Sequence, residues 1–478
     1  MIASLDRSAD WNGIRAGVAG IRLAGAACAR AMLDLGAEVV AIEGGVSPDH
    51  QRWAEDLREQ GAEVHLGDGE SLPPHLDVLV VSPGFPPSAP VIKAAQNEGV
   101  PIWGELELAW RLRGTNPAPW LAVTGTNGKT TATLMLESIL RADGRQAIAA
   151  ANIGVSLVDA VLRDDLDVIA VEVGAQQLPF WHTVSPLAAV CLNIAEDHID
   201  HFGTFDNYLA AKGRVFERCQ VAAVYNRSDE RTRDLAAAAE VEPGCRRLSF
   251  GLDTPGPYEI GVVEDLLVDR AFVANPQAEA DALGSFADVH PFAPHNVANA
   301  LAAAALARAY GVAADSVRRG LQEFEPAGHR IAHVAEVDGV NYVNDSKATN
   351  THAAATSLLA YPKSVWIAGG LAKGQDFDDL IQRCADRMRA VVLFGQDRAV
   401  ISQALARHAP ELPVVEVSTT DTKAMAEVVT AAADLARPGD AVLLAPGCAS
   451  WDMYTDYGQR GDLFAQEVNR LLVPDREG

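Results

Sequence analysis

A chain of 478 residues, 49% apolar and 22% charged, is long enough for about three globular cores. Its formal net charge of −25 repels polyanions as a whole, which excludes nucleic acid as a partner and makes any locally clustered Lys and Arg informative. The six cysteines are scattered without a Cys-x-x-Cys pair, the amino-terminal region has no signal-like apolar core, and no window of ~18 apolar residues occurs; a reduced, cytoplasmic protein without membrane insertion is expected.

Residues 1–117 alternate short apolar runs with helical patterns. Strands are predicted at 15–19, 38–42, 62–65 and 77–81, with a helix at 25–35, as in an open parallel α/β sheet. Gly20-x4-Gly25 lies at the first strand-to-helix turn, with Arg22 where a dinucleotide fold would place a further glycine. Glu43 ends the second strand. Ser82-Pro83-Gly84 follows a strand at the carboxyl edge of the sheet, where α/β folds bind ligands. Residues 114–119 form a linker of turn formers.

The next unit opens on the most informative stretch. An apolar strand at 121–123 breaks at Gly125-Thr126-Asn127-Gly128, and Lys129-Thr130-Thr131 leads into a helix through 140. Strand, glycine loop, Lys-Thr and helix together make a phosphate cradle. The glycines let backbone N–H groups converge on phosphate oxygens, Lys129 adds charge, and the Thr130 hydroxyl suits Mg²⁺. Val123 stands where the common form of this loop has its first glycine. Further strands are predicted at 167–173 and 187–193, and Glu172 near the end of the first suits a metal ion held on a nucleotide.

Glu196, Asp197, His198, Asp200 and His201 make a loop competent for metal, although polar turns share that composition. Lys212 lies in a helix beginning near 206; by pattern alone it is a solvated lysine. Residues 220–292 read as irregular strands and loops, followed by an alanine-rich helix at 296–310 and a second linker at 325–328.

The last part alternates again, with strands at 341–343, 364–368, 390–394, 414–417 and 441–444. Three loops follow strands there: Asn344-Asp345-Ser346-Lys347-Ala348-Thr349-Asn350, Gly369-Gly370-Leu371-Ala372-Lys373-Gly374 and Pro446-Gly447-Cys448-Ala449-Ser450. Capping chemistry explains the first as a helix start, yet three such loops at one sheet edge point to a ligand site. The fold class expected is α/β with three domains: a Rossmann-like one at 1–117, a mostly parallel phosphate-loop ATPase domain at 118–326 and a second Rossmann-like one at 327–478.

In order and identity, Thr124 to Thr130, Glu172, Asn193-x4-His198, His295-Asn296-x2-Asn299, His329-Arg330 and Asn344 to Asn350 resemble the Mur ligase family. With Pro446-x-Cys448-Ala449-Ser450-x-Asp452, the chain is most similar to the branch that adds D-glutamate. The resemblance implies ATP-dependent amide formation between UDP-N-acetylmuramoyl-L-alanine and D-glutamate through an acyl phosphate, in peptidoglycan precursor synthesis, by a monomer. A relative adding another amino acid, of Mur or folylpolyglutamate type, is the alternative; a nucleotide-binding scaffold without catalysis is another.

By that resemblance Gly125, Thr126, Asn127, Gly128, Lys129, Thr130, Thr131, Asn296, Asn299, Arg330 and Asp345 hold ATP. Two Mg²⁺ ions fall to Thr130, Glu172, His198 and Lys212, the last as a carbamate formed with CO₂, and Lys347 is a phosphate-side catalytic contact. D-Glutamate falls to Thr349, Lys373, Ser450 and Tyr457, and the UDP substrate to Ile21, Arg22, Glu43, Ser82, Gly84, Asn152 and Gln177. The chain departs from the family pattern at Arg22, at Gly174-Ala175 where Ser-Ser is usual, and at Leu371-Ala372 where Asp-Gly is usual.

Overall fold

The computed structural model describes residues 2–326, 328 and 331–472. Arg330 and His329, and Ala327 of the second linker, lie outside the described residues. The chain divides into two compact units, Met1–Phe324 and Glu325–Gly478.

The first unit carries two sheets. One is parallel throughout, in the order β3-β2-β1-β4-β5, from β1 (Arg15–Ala19), β2 (Glu38–Glu43), β3 (Glu63–Leu66), β4 (Val78–Val81) and β5 (Ile102–Gly104). β4, Val-Leu-Val-Val, is buried at every position, as a strand covered on both faces requires.

The second sheet comprises β6 (Trp120–Thr124), β7 (Ala147–Ala151), β8 (Val168–Glu172), β9 (Ala188–Cys191), β10 (Ala222–Asn226), β11 (Arg246–Phe250), β12 (Glu259–Val263), β13 (Leu266–Asp269) and β14 (Asp281–Ser285), in the order β14-β13-β12-β11-β10-β9-β6-β8-β7. β6 to β12 run parallel, and the antiparallel β13–β14 hairpin extends one edge. The strands expected between 220 and 292 are present and ordered into this sheet, with an intervening helix, Glu230–Ala238, that the pattern did not show. Polar anchors fix its far edge: buried Asp269 pairs with Arg308 at 2.7 Å, and Arg308 also holds Asp281 at 2.7 Å.

The alanine-rich helix Pro294–Tyr310 is buried nearly all round, which explains its small side chains. Helix Lys129–Ala142 is gripped on its other flank by helix Ala314–Gln322, where a Cβ on Gly320 would lie 2.3 Å from the Ile139 Cα. The phosphate-loop helix is therefore clamped before any ligand arrives.

The second unit is one sheet of β15 (Ala332–Val337), β16 (Val340–Asn344), β17 (Ser364–Gly369), β18 (Met388–Phe394), β19 (Val414–Glu416) and β20 (Ala441–Leu444), in the order β15-β16-β20-β17-β18-β19. All neighbours are parallel except the antiparallel edge pair β15–β16. Among the described residues no helix is long and apolar enough to cross a membrane.

Candidate active site

β6 lies between β8 and β9, so the loop leaving its carboxyl end sits where the chain order of the sheet reverses, the usual ligand position in such sheets. The loop is fixed from both sides. Thr126 N–H donates to Asn193 O (2.9 Å), Asn127 N–H to Asn193 Oδ1 (2.9 Å), and Asn193 Nδ2 returns to Asn127 O (3.1 Å). The Thr126 hydroxyl meets the buried Tyr208 hydroxyl at 2.7 Å and accepts from Ala195 N–H at 2.9 Å. Lys129 Nζ folds back on the carbonyls of Gly125 and Thr126, 2.9 Å each.

Gly128 caps the helix at φ +84°, and a Cβ there would lie 2.4 Å from Asn299 Oδ1. Asn299 Nδ2 in turn donates to Asn296 Oδ1 (3.3 Å), so the predicted nucleotide-binding amides abut the loop itself. Changing Gly128 to alanine combines strain with overlap and should cost about 1–3 kcal/mol of loop geometry. That corresponds to a roughly 10- to 100-fold rise in the KM for ATP; an unchanged KM would refute the assigned contact.

Glu172 stands opposite Val123 in the register of β6 and β8 and is 2% exposed. One carboxylate oxygen accepts from Asn152 Nδ2 at 2.7 Å; the other, Oε2, is buried and has no hydrogen-bond partner. Lys212, 1% exposed, donates from Nζ to Gly125 O (2.6 Å) and Thr124 Oγ1 (3.1 Å). Burial foremost, and then the Lys129 charge, push its amine down to about 7. Pattern reading placed this lysine in solvent; the fold places it under the phosphate loop.

His198 opens the short helix Ile199–Phe202 in a left-handed conformation (φ +54°), with its N–H on Asp197 Oδ1 at 2.9 Å. Its neighbours in sequence do not converge: among the described residues no group of three or more His, Cys, Asp and Glu is placed to hold a metal ion. The Asp197 carboxylate and the His198 imidazole do approach each other, at 3.7 Å.

Gly174 N–H donates to Gln177 Oε1 at 2.8 Å. A Cβ on Gly174 would lie 3.3 Å from Gln177 Oε1 and 3.5 Å from Asn152 Oδ1, so its bareness lets both amides close on this turn. Gln177 Nε2 faces buried Glu105 at 3.5 Å, and Glu105 also accepts from Leu157 N–H at 2.8 Å, joining the first sheet to the second. Burial raises the Glu105 pKa.

Beside the first sheet, Gly25 in the helix after β1 packs so tightly that a Cβ would sit 1.7 Å from Gly20 O. The Ser82 hydroxyl donates to that same carbonyl at 2.9 Å. Glu43 accepts from Ile21 N–H (3.2 Å) and Gly45 N–H (2.8 Å), shaping a cleft of about 680 Å³ lined by Glu43, Gly44, Gly67, Gly69 and Phe85. Arg22 precedes helix Leu23–Asp34 and is exposed, and Gly84 follows in the turn after β4.

In the second unit the three predicted loops are braced together. Gly447 N–H donates to Ala348 O at 2.8 Å, and Leu371 and Ala449 exchange backbone bonds of 2.9 and 3.0 Å. Fully buried Arg460 donates to Ser346 Oγ (2.9 Å), Ser346 O (2.7 Å) and Cys448 O (3.1 Å). Ser346 Oγ itself donates to Tyr457 O at 2.8 Å. Lys347 Nζ lies 3.7 Å from the Tyr457 ring, and Lys373 Nζ 4.2 Å from the ring of exposed Trp451. Asp345 accepts from the Ser357 hydroxyl; Thr349 is half-buried and Ser450 buried.

Residues 123–307 match the Mur ligase middle domain, and residues 329–448 match the Mur ligase glutamate ligase domain. A UDP-N-acetylmuramoylalanine–D-glutamate ligase of Streptomyces avermitilis is 55% identical over 97% of this chain and 99% of that protein. The chain belongs to the Mur ligase family. UDP-N-acetylmuramoylalanine–D-glutamate ligases of Streptomyces coelicolor and Thermobifida fusca are 54% and 53% identical, again over 97% of this chain and 99% of each relative. Solved Mur ligase structures share the fold: a UDP-N-acetylmuramate–alanine ligase from Thermotoga maritima superposes with a TM-score of 0.58 at 18% identity, over 96% of this chain and 99% of that one. A pseudomurein peptide ligase from Methanothermus fervidus gives 0.58 at 16%, over 96% and 100%.

Against the Mur ligase pattern, sequence reasoning missed three supporting residues. Arg460 carries a signal in retrospect, since it shares a helix face with buried Phe464 and Val468. Tyr208 and Glu105 carry none, because their partners are remote in sequence.

Proposed function

We propose that the chain catalyses ATP-dependent addition of D-glutamate to UDP-N-acetylmuramoyl-L-alanine in peptidoglycan precursor synthesis. The observation that carries this is identity of 53–55% to relatives of that activity over 97% of the chain. The alanyl carboxylate oxygen attacks the γ-phosphorus of ATP, and the bond to the β-phosphate oxygen breaks to release ADP. The glutamate nitrogen then attacks the acyl-phosphate carbon, the C–O bond to phosphate breaks, and the nitrogen's excess protons pass to solvent.

Backbone N–H groups of residues 125–130 and Lys129 would hold the phosphates. The partnerless buried oxygen of Glu172, on the strand paired with the one that leads into the phosphate loop, is the donor a cation needs, so Glu172 with the Thr130 hydroxyl fits Mg²⁺. When bound, that ion would neutralise phosphate charge. His198 and Lys212 would serve a second ion once CO₂ has converted the Lys212 amine to a carbamate with loss of one proton. Asn296, Asn299, Arg330 and Asp345 would hold the nucleoside, and Lys347 a phosphate. Lys373 and Thr349 would take one glutamate carboxylate, with Ser450 and Tyr457 at the other. Ile21, Arg22, Glu43, Ser82 and Gly84 would face the UDP group, and Asn152 and Gln177 its acyl end. We further infer a cytoplasmic monomer of three domains, divided near 117 and 326.

Phosphate release measured with ATP, magnesium and the UDP-muramoyl-alanine acceptor should require D-glutamate and not L-alanine or L-glutamate. Turnover with one of the others and none with D-glutamate would overturn the assignment. Carbamate formation consumes the neutral amine, so the ¹³C signal of labelled CO₂ on Lys212 should rise between about pH 6 and pH 8, following an amine held near 7. A signal flat over that span, or retained in Lys212→Ala, would contradict it.

A further inference from the structure

Four of the six cysteines are inert by environment. Burial foremost raises the thiol pKa of Cys28, Cys191, Cys384 and Cys448, to about 12 for Cys191 and Cys448. A thiol that stays protonated at neutral pH is a poor nucleophile.

Cys219 and Cys245 differ. Cys219 precedes β10 and Cys245 immediately precedes β11, and these strands pair in parallel with Ala222 opposite Arg246. Cross-links at their entry fix the register further: Arg246 N–H donates to Val221 O (2.9 Å), and Glu242 N–H to Cys219 O (2.9 Å). The two side chains consequently pack in one cluster at the entry to the strand pair, Cys219 Sγ 3.1 Å from Ala222 O and Cys245 Sγ 3.8 Å from Arg246 O. Cys219 is fully buried and its thiol is pushed far up, foremost by the reduced Cys245 beside it and then by burial, an influence of Cys245 that ends once Cys245 is oxidised; Cys245 is half-buried and reachable from solvent. The Cys219 contact foremost lowers the Cys245 pKa, and the nearby Arg247 and Arg246 charges act the same way. Among the described residues no third His, Cys, Asp or Glu completes a metal-holding group with them.

We propose that Cys245 and Cys219 form a peroxide-reactive dithiol, with Cys245 the thiol attacked and Cys219 the one that resolves it. The Cys245 sulfur attacks one peroxide oxygen, the O–O bond breaks, and the sulfenic acid and one water result. Cys219 sulfur then attacks the Cys245 sulfur, the S–O bond breaks, and a second water leaves with the thiol proton. Both sulfurs are oxidised to the disulfide and both peroxide oxygens end as water. The bridge would tie the amino ends of β10 and β11. The phosphate loop lies at the carboxyl ends of this sheet, so catalysis should persist in the oxidised chain.

The test uses the reduced full-length chain, treated with hydrogen peroxide, alkylated and digested without reductant. A peptide pair linked through Cys219 and Cys245, lost on adding dithiothreitol, is expected, with the other four cysteines alkylated only after denaturation. Cys219→Ser should leave a sulfenic acid that dimedone labels at Cys245, and Cys245→Ser should give neither link nor label. Thermal transitions matching the parent chain would show both variants folded. Absence of the link in the parent, no dimedone on Cys245 in folded Cys219→Ser, or equal oxidation at Cys191 or Cys448 would overturn the proposal.

Discussion

Changing Lys129 to alanine should lower phosphate release by on the order of 10³-fold while leaving the thermal transition almost unmoved. The magnitude is that of removing a preorganised charge from a phosphoryl-transfer site. Stability should survive because the ammonium's bonds to the Gly125 and Thr126 carbonyls are not what holds the loop, which is independently pinned by Asn193, Tyr208 and Ala195. A second effect separates this from generic damage. The Lys129 charge is the strongest electrostatic influence depressing the Lys212 amine, so its removal should raise the Lys212 pKa and reduce CO₂ uptake at neutral pH. Steady-state phosphate release and the ¹³C carbamate signal check the two halves. Retained turnover in the alanine variant would remove the phosphate loop from the mechanism.

Changing Arg460 to methionine should destabilise the second unit by about 3 kcal/mol or more, because the Ser346 and Cys448 carbonyls lose a charged donor while the apolar stem is kept. For a unit of this size that is on the order of a 10 °C fall in its calorimetric transition. The guanidinium is 0% exposed and bonds to Ser346 and Cys448, each in a loop carrying predicted substrate residues. Its burial without a carboxylate hydrogen bond lowers its pKa to about 10, still well above neutral, so it remains a cation. The KM for D-glutamate should rise more than that for ATP. Equal stability with unchanged KM values would show that the loops hold themselves.

Where a strand was continuously apolar, as in β4, β8 and β17, it was legible from its residues alone. β7 was not, since Ala-Ile-Ala-Ala-Ala carries little strand preference and owes its conformation to pairing with β8. β15 was missed because a polar, half-exposed edge strand lacks the apolar run that marks an interior one. The phosphate loop was readable because its chemistry is local in sequence. Lys212 was not readable by pattern, since its character comes from being folded beneath Thr124 and Gly125, remote in the chain. Only family resemblance pointed to it, and the buried amine supplies a physical reason.

The close approach of Gly128 to Asn299 has a practical consequence. An asparagine side chain set against the turn that would cradle phosphate is a built-in reporter. Its amide resonances in an isotope-labelled sample should shift as nucleotide is titrated in, with no dye or foreign tag attached.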